Sequence, residues 1–138
     1  LKRRLLRPRT ALYGVLLVIG LVVFLVMASG RTAFEARVLR VKGVPYTLDG
    51  DVVTNVYSLH LVNKLPHRAE FRIAQKPGSP VQLVIPAPAV TLDPFGAQRI
   101  PIIGRIQRAA LKPGAKIEVT VVTGETHREI EEVFLGPN

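Results

Sequence analysis

Hydrophobic and polar positions follow different rules on either side of residue 30. Residues 11–29 read Ala-Leu-Tyr-Gly-Val-Leu-Leu-Val-Ile-Gly-Leu-Val-Val-Phe-Leu-Val-Met-Ala-Ser and carry no charge, so no helical face is polar. At about 1.5 Å per residue, roughly nineteen residues span about 28 Å, close to the hydrocarbon thickness of a bilayer. The pattern predicts a transmembrane helix. A buried core helix fits poorly, because such helices rarely keep every face apolar over this length. A secretory signal competes, since Val26-Met27-Ala28 has the small-residue spacing of a cleavage site. Against it, the apolar stretch exceeds the usual signal core of about 7–15 residues. We read the run as a retained membrane helix.

Beyond residue 30 the period shortens to two. In residues 34–42, Phe34, Ala36 and Val38 alternate on one side, then Leu39 and Val41 are apolar on the other, which predicts a bulge or a change of partner. Asp49-Gly50-Asp51 is a turn signal. Residues 52–63 form the clearest strand: Asn55, Tyr57, Leu59 and Leu61 share one face, and Val56, Ser58, His60 and Val62 the other. Lys64-Leu65-Pro66 interrupts it, and residues 67–75 resume alternation with Ala69, Phe71 and Ile73 inward, predicting an antiparallel hairpin. A short strand over 81–85 ends at Pro86, and the proline-rich stretch 87–95 reads as an edge or irregular strand. Residues 98–106 are apolar but contain Pro101 and Gly104; Lys112-Pro113-Gly114-Ala115 predicts a type-II-like turn into a strand over 116–123. Gly124-Glu125 turns the chain into a last strand over 127–135. About seven short strands with a turn every eight to twelve residues predict a mainly β immunoglobulin-like sandwich behind a single helix.

Charge orients this arrangement. Lys2, Arg3, Arg4, Arg7 and Arg9 stand directly before the apolar run, which places the N-terminus on the cytoplasmic side and the rest outside. Tyr13 suits the headgroup level at that end. Arg31, Arg37, Arg40 and Lys42 follow the run against Glu35 alone, so the asymmetry is moderate. Without the first thirty residues the net charge falls from +9 to +4, because five of the nineteen cations and none of the acids lie there. The basic character is therefore partly a topology signal, and nucleic acid is excluded as a partner: no basic–aromatic block occurs after residue 30. The domain organisation read here is a flank and helix over residues 1–30 and a sandwich over residues 31–138, opening on Leu1, which implies a fragment or a processed chain. About 108 residues suffice for one domain with its own core.

Candidate chemistry is sparse. The sequence has no cysteine, which removes disulfides, thiolate metal sites, cysteine nucleophiles and iron–sulfur ligation by thiolate. His60 and His67 are the candidate metal ligands, on two strands that a hairpin would bring together. A copper or zinc site needs three or four ligands with an oriented second layer, and His127 belongs to another strand pair, so surface histidines are the simpler reading and no metal site is assigned. Met27 lies in the apolar run and reads as a packing residue. Asp49 and Asp51 cap a turn and fall short of the five or more oxygens of a calcium site. Glu129, Glu131 and Glu132 near Arg128 read as a solvated face or the rim of a partner surface. With no nucleophile elbow and no phosphate loop, the chain is read as having no catalytic residue and as not being an enzyme.

Three segments carry a family resemblance: Arg7-Pro8-Arg9-Thr10-Ala11-Leu12-Tyr13-Gly14; Asn55-Val56-Tyr57-Ser58-Leu59-His60-Leu61-Val62-Asn63-Lys64 with Pro66-His67-Arg68; and Phe134-Leu135-Gly136-Pro137. In order and spacing they resemble the C-terminal part of the FixG/CcoG family, the cytochrome c oxidase accessory proteins. The resemblance implies a bacterial inner-membrane polyferredoxin. Its cysteine-rich iron–sulfur motifs are cytoplasmic, and its last helix leads to an immunoglobulin-like periplasmic domain. It further implies assistance to cbb3-type oxidase maturation through reduction of cupric copper for delivery. This chain holds only the last helix and the periplasmic domain, either as a fragment or as a stand-alone relative. Its own cofactor complement is none, and its expected partners are the lipid bilayer and oxidase-assembly or copper-handling proteins, with the oligomeric state open. Two rival readings are a periplasmic copper carrier using the histidines and an unrelated anchored envelope or adhesion protein.

Overall fold

The apolar run forms α1 (Pro8–Ser29), 22 residues with no side chain buried against protein. It starts three residues before the uncharged stretch because Pro8 occupies the first helical turn, where its missing N–H costs nothing. Its length and composition suffice to cross a membrane. The computed structural model describes residues 7–30 and 32–137; of the flanking cations, Lys2, Arg3, Arg4 and Arg31 fall outside them. The chain separates into two units, Leu1–Thr32 and Ala33–Asn138.

The second unit is the sandwich the alternation predicts. Its strands are β1 (Phe34–Arg40), β2 (Thr47–Asp49), β3 (Val52–Asn63), β4 (Ala69–Gln75), β5 (Gln82–Val84), β6 (Ala89–Leu92), β7 (Ala97–Gln107), β8 (Lys116–Thr123) and β9 (Thr126–Val133). One sheet has the order β1-β3-β7-β5, with β2 also beside β3; the other runs β6-β4-β8-β9, and every pairing is antiparallel. Nine strands among the described residues stand against about seven expected; the three-residue β2 is one that alternation over so short a span does not signal.

Period-two patterning decides the core. Val53, Tyr57, Leu59 and Leu61 of β3 meet Phe71 and Ile73 of β4 and Ile117, Val119 and Val121 of β8, all buried. Each such side chain contributes roughly 1.5–3 kcal/mol when fully buried. Phe34 and Phe71 close one end of the core edge to face, with ring centroids 5.4 Å apart at 73°.

Three local expectations change. Residues 64–68 are not a hairpin, because β3 and β4 belong to different sheets and the connection crosses the sandwich. The buried side chains of β1 keep strict alternation through Val38, so no bulge forms, and Leu39 simply faces outward. Residues 97–107 are one continuous strand despite Pro101. β5 covers only Ile103–Arg105 of β7, leaving one side of the strand free at Pro101, where a residue without N–H can sit without breaking a ladder bond. The turn at Lys112 forms as expected, with the Ala115 amide donating to the Lys112 carbonyl at 3.1 Å.

Candidate functional site

The histidines do not assemble. His60 lies on the outer face of β3, and its cross-strand neighbours are Arg37 on β1 and Arg99 on β7. Two guanidinium groups in the same row disfavour a further cation there. His67 is exposed in the connection between sheets, its carbonyl occupied by the Asn63 side chain at 3.0 Å. His127 stands on β9, opposite Val122. Among the described residues no three His, Cys, Asp or Glu side chains gather as a metal-binding group. An open cleft of about 410 Å³ at the 77–80 and 112–116 loops is lined by Pro77, Ser79, Pro80 and Lys112. Its hydroxyl is engaged locally, as Ser79 Oγ accepts from the Val81 amide at 3.3 Å.

The polar residues that are buried have structural partners. Asn55 sits on the inward face of β3, donates Nδ2 to the Leu135 carbonyl at 2.7 Å and accepts the Leu135 amide at 3.1 Å. Tyr57, two residues on, donates its hydroxyl to the Val133 carbonyl at 3.0 Å, and burial pushes its pKa up to about 12. Arg40 reaches the same carbonyl at 2.8 Å and the Glu132 carboxylate at 3.6 Å, tying the free edge of β1 to β9. Phe134 then enters the core, where a Cβ on Gly104 would approach its ring to 3.1 Å, and Gly136 lies against Leu111. The Phe134-Leu135-Gly136-Pro137 segment is thus a closing strap for the sandwich. At the other end of β3, Asn63 Nδ2 donates to the carbonyls of His67 (3.0 Å), Asp93 (3.1 Å) and Leu92 (3.4 Å), and Oδ1 accepts the Leu65 amide at 3.0 Å. Sequence reasoning counted Asn55 with the inward face and gave neither asparagine a role. An amide at an inward position of an apolar strand was the available signal.

The two outer faces differ. On the β4-β8-β9 side, Lys76 lies between Glu118 (3.4 Å) and Glu129 (3.3 Å), and Lys116 meets Glu131 at 3.3 Å. Hydrogen bonds donated by Lys76 to Glu129 and then to Glu118 raise the Lys76 pKa. The expected acidic rim is thus a solvated, paired face, and such exposed pairs contribute little to stability. On the β1-β3-β7-β5 side an apolar row crosses the sheet. Val56 pairs Ile103, Ile103 pairs Val84, and the Val41 amide bonds the Val56 carbonyl at 3.2 Å. Val41, Val56 and Val84 are exposed, with Leu39 beside them. Arg105 stands two residues from Ile103 on β7, whereas Arg37 and Arg99 flank His60, four residues along β3 from Val56, and Glu35 pairs Val62 beyond them. A hydrogen bond from Lys64 and the charge of Arg37 lower the Glu35 pKa. The centre of this face is apolar, in contrast to the paired charges of the β4-β8-β9 side.

A family model described as "IG-like fold at C-terminal of FixG, putative oxidoreductase" matches residues 24–137. The chain belongs to this FixG C-terminal family. The match covers the second and third motif segments, including both β3 asparagines and the closing strap, while the segment over residues 7–14 precedes it. Among solved structures, the FixG-related protein from Vibrio parahaemolyticus is similar over 76% of this chain and 97% of that one, at 18% identity and a TM-score of 0.60. That likeness establishes a shared fold. A C. elegans MSP family member, WR4, aligns over 53% of this chain and 61% of its own at 11% identity and a TM-score of 0.38. No curated protein sequence matches the chain. Within the fold, Asn55, Asn63 and the Phe134-Leu135-Gly136-Pro137 segment serve packing and hydrogen bonding, with Asn55, Asn63 and Phe134 buried.

Proposed function

We propose that this chain is the membrane-anchored docking module of a cbb3-type cytochrome c oxidase accessory protein, with α1 in the bacterial inner membrane, the N-terminus cytoplasmic and the sandwich in the periplasm. The observation that carries the docking role is the row of exposed Val41, Val56 and Val84 with half-buried Ile103, beside which Arg105 stands on β7. Its partner is an oxidase-assembly or copper-handling protein presenting an apolar centre and acidic margin. Cupric reduction falls to cysteine-ligated clusters of the full-length protein, because this sequence contains no cysteine. The sandwich contributes position rather than electrons.

Two measurements test the reading. In cells lacking the full-length protein, residues 1–138 alone are expected to leave the oxidase without copper; restored copper content would overturn the docking-only role. Full-length protein carrying Val56→Glu is expected to fold and insert normally while oxidase copper loading falls by roughly tenfold, the effect of about 1.4 kcal/mol lost at a binding surface. Unchanged loading would remove this face from the interaction.

A further inference from the structure

One residue combines a strained backbone with an exposed aromatic ring. Among the described non-glycine residues, Phe95 alone has positive φ, at 56°, and it is 68% exposed. It is the third residue of a tight turn, Asp93-Pro94-Phe95-Gly96, closed by the Gly96 amide donating to the Asp93 carbonyl at 2.9 Å. Proline at the second position and positive φ at the third are the requirements of a type II turn, where glycine or asparagine sits without strain. A bulky aromatic there is an outlier. A strained, exposed aromatic points to an external contact.

The surroundings of the turn show what that contact is. The Phe95 amide donates to the Leu65 carbonyl at 3.4 Å, and Asn63 donates its amide to the Gly96 carbonyl at 2.8 Å. Exposed Pro66 and Pro94 and half-buried Leu65 extend Phe95 into a small apolar tip. Lys64, His67 and Arg68 flank it, Arg68 fixed to Asp93 at 2.8 Å. The Lys64 amide donates to the Ala33 carbonyl at 3.1 Å, so the tip is stitched to the residue where the chain enters β1. Only residues 30–32 separate Ala33 from the last residue of α1. Four extended steps reach at most about 14 Å. That length of chain leaves the tip within reach of the headgroup layer. Aromatic rings with snorkelling cations favour that zone.

We propose that Phe95, with Pro94, Leu65 and Pro66, is a lipid-contacting tip that inserts into the headgroup region and fixes the orientation of the sandwich on the bilayer. The inference rests on the reading of α1 as a membrane span.

The sequence contains no tryptophan, so single substitutions give unambiguous fluorescence. Phe24→Trp in α1, Phe95→Trp at the tip and Lys112→Trp at the opposite end of the sandwich are each reconstituted as the full chain. The vesicles contain phosphatidylethanolamine and phosphatidylglycerol, with and without lipid brominated near the headgroup end of its acyl chains. The expected result is quenching of Phe24→Trp, a blue shift and quenching of Phe95→Trp, and water-like, unquenched emission from Lys112→Trp. Quenched Phe24→Trp with water-like Phe95→Trp overturns the tip while leaving the anchor intact, and frees Phe95 for a protein partner. Unquenched Phe24→Trp overturns the anchor and the tip with it. Quenching of Lys112→Trp to the level of Phe95→Trp shows indiscriminate adsorption and overturns an oriented tip.

Discussion

The two ends of β3 each bury an asparagine, and the two residues are wired differently. Asn55 directs its donor and its shortest acceptor bond to one residue, Leu135, in the closing strap, with a longer bond accepted from the Tyr57 hydroxyl at 3.5 Å. Asn63 spreads its bonds over His67, Leu92, Asp93 and Leu65, two loops that meet at one corner. The first is a pairwise clamp, made between positions far apart in sequence. The second is a hub, and its loss is felt by every strand end around it. The difference teaches that buried amides act less by their own bond energies than by how many other groups they leave unpaired when removed.

The hub gives the largest predicted effect. Asn63→Leu preserves volume and removes all four bonds, leaving the Leu65 amide and the carbonyls of His67 and Asp93 without their partner. The expected loss is about 3 kcal/mol or more, from an ordinary penalty of about 1–3 kcal/mol per stranded buried group. Urea unfolding of the chain in detergent measures it. A loss below that of the clamp variant would break the distinction between hub and clamp.

Much of this architecture was legible in the sequence, and the reasons are physical. Alternation over 52–63 marked the central strand and its inward face, because a strand buried on one side repeats every second residue. The helix was legible because an uncharged run of that length has few soluble uses. The crossing from β3 to β4 was not: Lys64-Leu65-Pro66 interrupts a strand whether the chain turns back or changes sheet, and the choice is made by the Asn63 hub together with the core. The outer row of Val41, Val56, Ile103 and Val84 was also hidden, because it exists only once the register of four strands is fixed. For the same reason His60 and His67 looked adjacent in sequence yet lie on a sheet face and in a connecting loop.

The clamp predicts a smaller and more local effect. Asn55→Ala is expected to cost about 2 kcal/mol, for one donor and one acceptor stranded in a partly buried strap. Amide exchange should accelerate most at Leu135, with the corner around Asn63 unaffected. Asn55→Asp separates the two halves of the clamp. It keeps an acceptor for the Leu135 amide, sets a second oxygen against the Leu135 carbonyl, and should be no more stable than Asn55→Ala. Equal acceleration of exchange at both ends of β3 would show that the strand responds as one unit.

The smallest effect belongs to Tyr57, whose hydroxyl supports the clamp end through the Val133 carbonyl. Tyr57→Phe removes the hydroxyl's bond to the Val133 carbonyl and its longer one to Asn55 Oδ1 and leaves the ring in place, an expected loss of about 1 kcal/mol at neutral pH. Its pH dependence is more telling than its size. Burial raises the folded-state pKa from 10.0 to about 12, so the native state holds its proton after the unfolded chain has released it. The unfolded state therefore binds fewer protons in this window, and stability falls as pH climbs from about 10 towards 12, by up to about 1.4 kcal/mol per pH unit. Below pH 10 the term is fully present and flat. The difference between wild type and Tyr57→Phe isolates the one hydroxyl. The two unfolding curves should converge and then cross as the wild type loses its advantage. Parallel curves across the window would mean that the hydroxyl ionises as freely in the folded chain as in the unfolded one, and that the clamp end of β3 opens to water while the Asn63 corner stays shut.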